Sequence, residues 1–290
     1  MVAPGMLQNQ SVKTWLAGVE PAWTLLDQAS FAALHQPPSP MAGPIRLAAD
    51  FTQEEIRQSA VARNALILLR AAEIGPGLKM TAAGNLSRVV VAEMRHLFTW
   101  PDYDEAEAFQ FHKAINEPDF LSLYFVRNVL QSGLLLRKQK GHLKTTSAGR
   151  RIMEEPNVPA LQALLFHITL WHLDLAYLSR GLHHGWPQQD AGIVLWSLSV
   201  AATDWQTRER LSRLCTIPIN GVLGQAWDTA SFAMEAQILR PLLWFGLLEH
   251  KEDEKDPAQF GKRHFYRKTT LFDRFLSFDV TLENLGGPRH

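Results

Sequence analysis

The stretch that decides the fold is NEPDFLSLYFVRNVLQSGLLLRKQKGHLKTTSAGRRIM, residues 116–153. It begins with a predicted helix over Pro118–Ser132. Asn116 can cap this helix, and proline is tolerated in a first turn because its missing N–H would have no helical partner. Apolar residues recur at helical spacing on one side, which predicts a face turned to the core. The opposite side gathers four polar residues, namely Tyr124, Arg127, Asn128 and Gln131.

A two-stranded hairpin is predicted directly after this helix. Leu134–Arg137 and His142–Thr145 each have the length of a short strand, and Lys140-Gly141 between them supplies a two-residue turn. A new helix is predicted to start after Thr146. A helix followed by a hairpin is the second half of a winged helix-turn-helix unit, in which the helix enters a DNA groove and the hairpin forms the wing.

The same stretch is strongly basic in a chain whose formal net charge is zero. Between Phe120 and Met153 there is no Asp or Glu, and seven fixed positive charges lie there, on Arg127, Arg137, Lys138, Lys140, Lys144, Arg150 and Arg151. Like charges this close together repel one another unless solvent or a polyanion screens them. We therefore predict a DNA-binding surface that consists of Tyr124, Arg127, Asn128, Gln131, Arg137, Lys138, Lys140, His142 and Lys144.

Two ordinary explanations compete with DNA binding. Arg, Asn and Gln can each form two hydrogen bonds to a base edge, but they are also common on solvent-facing helix surfaces. Hairpins are exposed and therefore often charged, and winged helices also serve as protein–protein interaction modules. The sequence leaves open a DNA-binding regulator of transcription or of a mobile element and, as the alternative, an interaction adaptor that does not bind nucleic acid.

A second helix and hairpin are predicted towards the C-terminus. Asp228–Phe245 is the expected counterpart of the first helix, kinked by Pro241. The ends of the two helices correspond when Leu130–Leu135 is set beside Leu243–Leu248, which aligns Gly133 with Gly246. Leu247–Glu249 and Arg263–Lys268 are the expected sides of its hairpin. The helix is predicted to expose Glu235, and the hairpin tip is acidic, with Glu252, Asp253, Glu254 and Asp256. Acids in these places repel phosphate, so this module is expected to pack against the first, to bind a protein partner or to self-associate.

The predicted fold is mainly α-helical with small β-hairpin wings, arranged as two winged-helix units in pseudo-repeat and joined by a buried helix. The joining segment is apolar nearly all round, as expected of a buried scaffold element. The predicted domains are an N-terminal arm (1–50), the first winged-helix domain (51–155), the buried connecting helix (156–187), the second winged-helix domain (188–280) and a tail (281–290).

Three short motifs resemble those of a known group. Leu143–Arg150 resembles the wing-exit signature of many bacterial winged-helix domains, in which leucine and threonine are followed after two residues by glycine. Leu78–Leu86 resembles the same signature. Together with Gly133–Lys138, they make residues 50–180 similar to a group of uncharacterised bacterial proteins, some of them on plasmids and mobile elements. The resemblance implies a winged-helix fold, and it carries over no established activity and no catalytic residue.

Composition excludes several classes of protein. With 46% hydrophobic and 20% charged residues, the 290-residue chain has the composition of an ordinary globular protein. Its single cysteine, Cys215, excludes an internal disulfide framework and a multi-cysteine zinc site. The start of the chain does not have the pattern of a signal peptide, and no run approaches the ~18 apolar residues of a membrane span. We expect a cytoplasmic protein that does not contact membranes.

Catalytic motifs are missing from the sequence. It contains no phosphate-binding loop of the Walker type, no nucleophile elbow and no His-Glu-x-x-His helix, so we expect no enzymatic activity and no cofactor. The acidic residues 102–107 near His112 are the remaining catalytic candidate, and a solvated loop is the simpler reading. His167 and His172 are five residues apart, which predicts different helix faces and disfavours a metal site.

Overall fold

The computed structural model describes residues 6–38, 43–101, 113–219, 221–223, 228–253 and 262–283. This part of the chain is mainly helical, with small antiparallel sheets. The α-helices are α1 Gln10–Leu16, α2 Gln28–Ala33, α3 Gln53–Gln58, α4 Ala60–Glu73, α5 Arg88–Leu97, α6 Leu121–Ser132, α7 Ser147–Met153, α8 Leu161–Trp171, α9 Ala191–Ala201, α10 Arg208–Cys215, α11 Thr229–Met234, α12 Arg240–Trp244 and α13 Thr270–Phe275. The strands are β1 Ile45–Leu47, β2 Leu78–Lys79, β3 Leu136–Gln139, β4 His142–Thr145, β5 Gln206–Thr207, β6 Leu248–Glu252, β7 His264–Lys268 and β8 Leu276–Phe278.

The chain divides into two compact units. Residues 48–173 form the central unit, and residues 1–47 together with 174–290 form the terminal unit. The predicted N-terminal arm is thus an integral part of the terminal unit. Strand β1 pairs with β8, and the indole N–H of Trp23 donates a hydrogen bond of 3.0 Å to the carbonyl oxygen of Thr216.

Side chains cap the N-termini of helices in the central unit and so set where these helices begin. A capping box is present at Thr52, whose hydroxyl accepts from the Glu55 N–H while the Glu55 carboxylate accepts from the Thr52 N–H. The helix that it opens is short, because Ser59 ends α3 and caps α4. Helices α4, α6 and α8 pack against one another, and strand β4 lies on α4.

The predicted first hairpin is confirmed, although its first strand begins at Leu136, two residues later than predicted. Strands β3 and β4 pair antiparallel, and the two residues between them, Lys140 and Gly141, both have positive φ, at 48° and 75°. Two left-handed residues in succession are the mark of the type I′ turn, whose twist matches that of the strands. Thr146 then caps α7 by accepting from the Gly149 N–H, as the sequence predicted for a helix after this residue.

The terminal unit repeats the element order of the central unit. In the central unit α4 is followed by β2, α5, α6, β3 and β4, and in the terminal unit α9 is followed by β5, α10, the segment α11–α12, β6 and β7. The strand orders also correspond, since β2–β4–β3 and β5–β7–β6 each place the last strand in the middle. Each hairpin ends at a threonine that caps the next helix, Thr146 or Thr269.

The residue correspondence between the units is one position away from the predicted one. The sequence aligned Gly133 with Gly246, whereas the left-handed residue that follows α6 is Leu134, with φ of 55°, and its counterpart after α12 is Gly246, with φ of 75°. Gly133 has a different role, because a Cβ at this position would collide with the side chain of Ile168. A glycine motif alone therefore misplaced the register by one residue.

The predicted connecting helix over 156–187 is wrong in its length. Helix α8 ends at Trp171, and the division between the units falls directly after Leu173. The Asp174 carboxylate then accepts from the Ala176 N–H and starts a separate 3-10 turn, Leu175–Ser179. Helix α8 is largely buried, as predicted, but the part of the segment after it includes exposed residues such as His172, Asp174 and Arg180. Helix α8 belongs to the central unit.

The predicted helix over Asp228–Phe245 is interrupted just before Pro241. Residues Glu235–Leu239 form a π-helical turn between α11 and α12. A proline removes one helical N–H and crowds the carbonyl of the preceding turn, so a local change of winding is the expected response. Asp228 caps the start of this helix, because its carboxylate accepts from the Ser231 N–H. No helix in the described ranges has both the length and the apolar character needed to cross a bilayer.

Candidate nucleic-acid interface

The sheet of the central unit has an apolar inner face and a basic outer face. Strand register pairs Leu136 with Thr145 and Lys138 with Leu143 on the inner face. Directly opposed residues point to the same side of a sheet and successive residues point to opposite sides, so the alternate positions form the outer face. The outer face holds Lys79, Arg137, Gln139, His142 and Lys144.

We call the four basic residues of this outer face, Lys79, Arg137, His142 and Lys144, the basic face. Arg137 lies directly opposite Lys144, and Lys79 lies directly opposite His142. Like charges that oppose each other across two strands, as Arg137 and Lys144 do, destabilise a sheet. None of the four makes an ion pair with an Asp or Glu within the ranges that the structure describes. The basic face therefore presents uncompensated positive charge.

Two further basic residues of the hairpin, Lys138 and Lys140, lie outside the basic face. Lys140 occupies the exposed turn at the hairpin tip. Lys138 lies on the other side of the sheet, with its ammonium next to Gly84. A Cβ atom at position 84 would be only 3.0 Å from the Lys138 Nζ. The positive charge of Lys138 also acts on the Glu117 carboxylate. The sequence predicted both lysines as one surface, and the strand register separates them.

The prediction that Arg127 faces a DNA groove is wrong. This residue is only 5% exposed, and its guanidinium Nε lies 2.7 Å from Oε1 of Glu117, which is itself fully buried. A second guanidinium nitrogen donates to the carbonyl oxygen of Gly84 at 2.9 Å. Arg127 is thus an internal side chain that joins α6 to the loop before α5, and it is not available to a ligand.

Glu117 holds the other end of this internal junction. Its Oε2 accepts from the backbone N–H of Leu86 at 2.6 Å, while Oε1 faces Arg127. Burial raises the pKa of Glu117 above its usual value, and the Leu86 N–H and the Arg127 guanidinium oppose that rise. The opposite charges of the carboxylate and the guanidinium compensate each other inside the unit, which explains why a cation can lie in the buried part of α6.

The remaining predicted residues of this helix are half-buried. Tyr124, Asn128 and Gln131 are each partly covered, and the ring of Tyr124 lies 5.7 Å from the Arg127 guanidinium carbon. Ser132 is the one exposed residue of α6, all of which lies in the described part of the chain. The expected open polar stripe on this helix is therefore absent, because tertiary packing covers it. The exposed cations are on the hairpin.

The hairpin of the terminal unit offers an internal comparison. At the positions that correspond to Arg137 and Lys144, it has Glu249 and Arg267, whose side chains form an ion pair of 2.6 Å. Lys251, on the same face, lies over the ring of Trp205 at 4.7 Å from its centroid. The two outer faces have the same topology, but the directly opposed charges of this one form an ion pair.

Other charges of the second hairpin are also paired. Lys268 contacts Asp273 at 2.8 Å, and Lys262 contacts Glu252. The prediction that Glu235 is exposed is wrong, since it is buried and accepts from the hydroxyl of Tyr266 and from Arg208, both at 2.7 Å. The cause is the same as for Arg127, since a distant partner in the fold satisfies the charge. Glu254 and Asp256 of the predicted acidic tip lie outside the described residues.

Two other candidates can be placed only in part. The acidic segment 102–107 and His112 fall outside the described residues. Cys215 is fully buried in α10, and burial raises the pKa of its thiol far above the usual value. A thiol that stays protonated inside a core is a poor nucleophile.

Comparisons with known proteins identify relatives of the central unit. A family described as the Y4jL N-terminal domain matches residues 57–158. The uncharacterized protein y4jL of the bacterium Sinorhizobium fredii (strain NBRC 101917 / NGR234) is 31% identical over 98 residues, which cover 34% of this chain and 44% of the relative. The match thus spans less than half of the relative. No solved structure matches the chain.

Proposed function

We propose that this is a cytoplasmic, non-enzymatic DNA-binding protein built from two winged-helix units, and that the basic face of the central unit contacts the phosphate backbone. A role as a regulator of transcription or of a mobile element would fit such binding. The terminal unit would pack against the central unit, bind a protein partner or self-associate.

The order of elements supports the winged-helix assignment. Each unit has a helix, a short strand, two further helices and a hairpin, and the short strand pairs with the last strand of that hairpin. This is the arrangement expected of a helix-turn-helix with one wing. The match of the Y4jL N-terminal domain over residues 57–158 covers the whole of this arrangement in the central unit but names no function.

The observation that carries the proposal is the pair Arg137–Lys144. Two cations held directly opposite each other reduce the stability of the hairpin, and the corresponding pair in the terminal unit, Glu249–Arg267, avoids that cost with an ion pair. Both pairs lie on an outer face with the same strand topology. A polyanion would screen the repulsion between Arg137 and Lys144 and would gain from the uncompensated charge.

The proposed contact is mainly with phosphate and not with base edges. Arg127 is internal, and the half-buried Tyr124, Asn128 and Gln131 offer little free surface for a groove. Cations on a hairpin fix a protein on the duplex but carry no sequence information by themselves. The enclosed α6 is also the observation that favours the alternative function, an adaptor whose winged helices bind protein.

The change Arg137→Glu tests the proposal, because it should raise the stability of the protein while it lowers the affinity for DNA. It creates the charge pair that the terminal unit has, so we expect the free energy of unfolding to rise by about 0.2–1 kcal/mol. Affinity for a fluorescent duplex of ~20 base pairs should nevertheless fall roughly tenfold at ~50 mM salt, because a phosphate contact becomes a repulsion. The measurements are urea unfolding and fluorescence anisotropy.

Lys138→Glu is the matched control for this experiment. It makes the same change of charge on the adjacent residue, but on the inner side of the sheet. We expect this variant to retain duplex affinity better than Arg137→Glu. If Arg137→Glu binds the duplex as tightly as the parent protein does, the basic face is not the DNA contact and the adaptor hypothesis is favoured.

A further inference from the structure

The second hairpin brings two histidines and a carboxylate together on one face. Glu252 on β6 lies directly opposite His264 on β7, and His250 lies two residues before Glu252 on the same strand. Alternate residues of a strand share a face, so all three side chains project to the same side of the hairpin. Both histidines are half-buried and Glu252 is exposed, which leaves the cluster open to solvent on one side.

The distances within this cluster suit a single metal ion. The Nε2 atom of His250 is 3.0 Å from the Nδ1 atom of His264, and that Nδ1 atom is 3.7 Å from Oε1 of Glu252. One ligand atom from each residue lies within 4.8 Å of the other two. Ligands at ~2.0–2.1 Å around a tetrahedral zinc ion are separated by roughly 3.3 Å, so small side-chain adjustments would allow all three to bind one ion.

Neighbouring residues hold the histidines in place. The ring of Tyr266 stacks on that of His250 at 4.8 Å between centroids, and the two imidazoles stack on each other at 5.2 Å. The Tyr266 hydroxyl donates to Glu235, whose carboxylate also lies 3.5 Å from the His264 ring nitrogen. Metal ligands are commonly oriented by such an outer layer of stacked and hydrogen-bonded groups.

We propose that His250, Glu252 and His264 bind a divalent transition-metal ion, with zinc as the best match. Two imidazoles and one carboxylate are typical of zinc and of related borderline metals, and three protein ligands leave the fourth position for water. The ion would bridge β6 and β7 and would stabilise the hairpin. Metal binding and DNA binding concern different units of the chain, so either proposal can fail without the other.

Lys262 limits the affinity of this site. Its ammonium pairs with Oε2 of Glu252, and it leaves Oε1 to face the histidines. A positive charge beside a ligand opposes the arrival of a cation and competes for the carboxylate. Removal of this charge should strengthen metal binding, a gain that damage to the fold would not produce.

The chain contains a matched pair of histidines for comparison. His167 and His172 in the central unit also meet ring to ring, with 3.1 Å between their Nε2 atoms. The sequence predicted different helix faces for them, but His172 lies just past the end of α8 with φ of −122°, and its ring reaches His167. Among the described residues, no carboxylate, cysteine or third histidine completes a metal-ligand group with this pair.

The experiment uses untagged, metal-free full-length protein titrated with Zn²⁺ in a calorimeter and with Co²⁺ followed by its visible absorption bands. We expect one ion per chain and visible bands typical of a tetrahedral Co²⁺ site. His264→Gln should weaken Zn²⁺ binding by about tenfold or more, and Lys262→Met should strengthen it. The double variant His167→Gln with His172→Gln should bind as the parent protein does.

Two results would overturn the proposal. One is that Zn²⁺ affinity is the same in the parent protein, His264→Gln and Lys262→Met. The other is that binding is lost in the His167/His172 double variant instead. Thermal unfolding adds an independent readout, because an ion that binds only the folded state raises the Tm of the parent protein and of Lys262→Met, but raises that of His264→Gln much less.

Discussion

Replacement of Arg127 by methionine is expected to lower the free energy of unfolding by about 3–5 kcal/mol, which is the usual cost of leaving one partner of a buried ion pair alone. Glu117 has no exposed surface, and its Oε1 faces the Arg127 Nε at 2.7 Å. Without the guanidinium, the carboxylate must either stay charged in the interior or take up a proton. Urea unfolding followed by circular dichroism measures the loss.

Two further variants isolate the buried pair. Arg150→Met removes a cation from the exposed pair Arg150–Glu73, and we expect it to cost at most ~1 kcal/mol because water already screens this pair. In Arg127→Met combined with Glu117→Leu, neither charge remains unpaired, so much of the lost stability should return. If Arg127→Met lowers the free energy of unfolding no more than Arg150→Met does, Arg127 is exposed to water. The prediction from the sequence that it faces a DNA groove would then be open again.

The largest expected effect on binding comes from removal of three cations on the first hairpin. In the variant Arg137→Ala, Lys140→Ala, Lys144→Ala, two cations of the basic face and the one at the turn are lost. Each lost phosphate contact should reduce the slope of log K against log salt concentration by about one unit. The loss of three contacts should weaken duplex binding on the order of 10²-fold at ~50 mM salt. The stability of the protein should not fall, because these side chains are uncompensated and lie outside the core.

The control for this variant removes the same amount of charge from the other unit. Lys13, Arg46 and Arg210 are exposed cations of the terminal unit, and their combined replacement by alanine also changes the net charge by three. We expect a much smaller loss of duplex affinity for this control. Equal losses in the two variants would indicate attraction by overall charge, without a defined binding face.

Local features of the fold were predictable because short-range chemistry decides them. The Thr52 capping box, the Lys140-Gly141 turn and the helix after Thr146 each depend on residues within a few positions of one another. Such signals place the ends of helices and strands. They also reveal the repeated order of elements, because each hairpin follows a helix that ends in a recognisable turn.

The exposure of charged side chains was not predictable from neighbouring residues in the sequence. Helical periodicity placed Arg127 opposite the apolar stripe, but its partner Glu117 lies ten residues earlier, beyond the start of α6, and only the folded unit brings the two together. Glu235 was misjudged for the same reason, since Arg208 and Tyr266 reach it from other elements. Buried charges follow tertiary contacts, which a one-dimensional pattern does not contain.

The basic face could be defined only from the strand register in the structure. The sequence identified the basic hairpin as a set of charges, but only the pairing of β3 with β4 separates Arg137 and Lys144 from Lys138. The contrast with Glu249–Arg267 likewise requires both sheets to be aligned. The cluster of His250, Glu252 and His264 was not predictable from local sequence, because its histidines lie fourteen positions apart in the chain.

The salt dependence of duplex binding by the parent protein is the measurement that tests the central claim most directly. If Lys79, Arg137, Lys140 and Lys144 each neutralise one phosphate, the logarithm of the association constant should fall with the logarithm of the salt concentration at a slope of about −3.6. Absence of binding at ~50 mM salt, or a slope near zero, would contradict a phosphate-binding basic face.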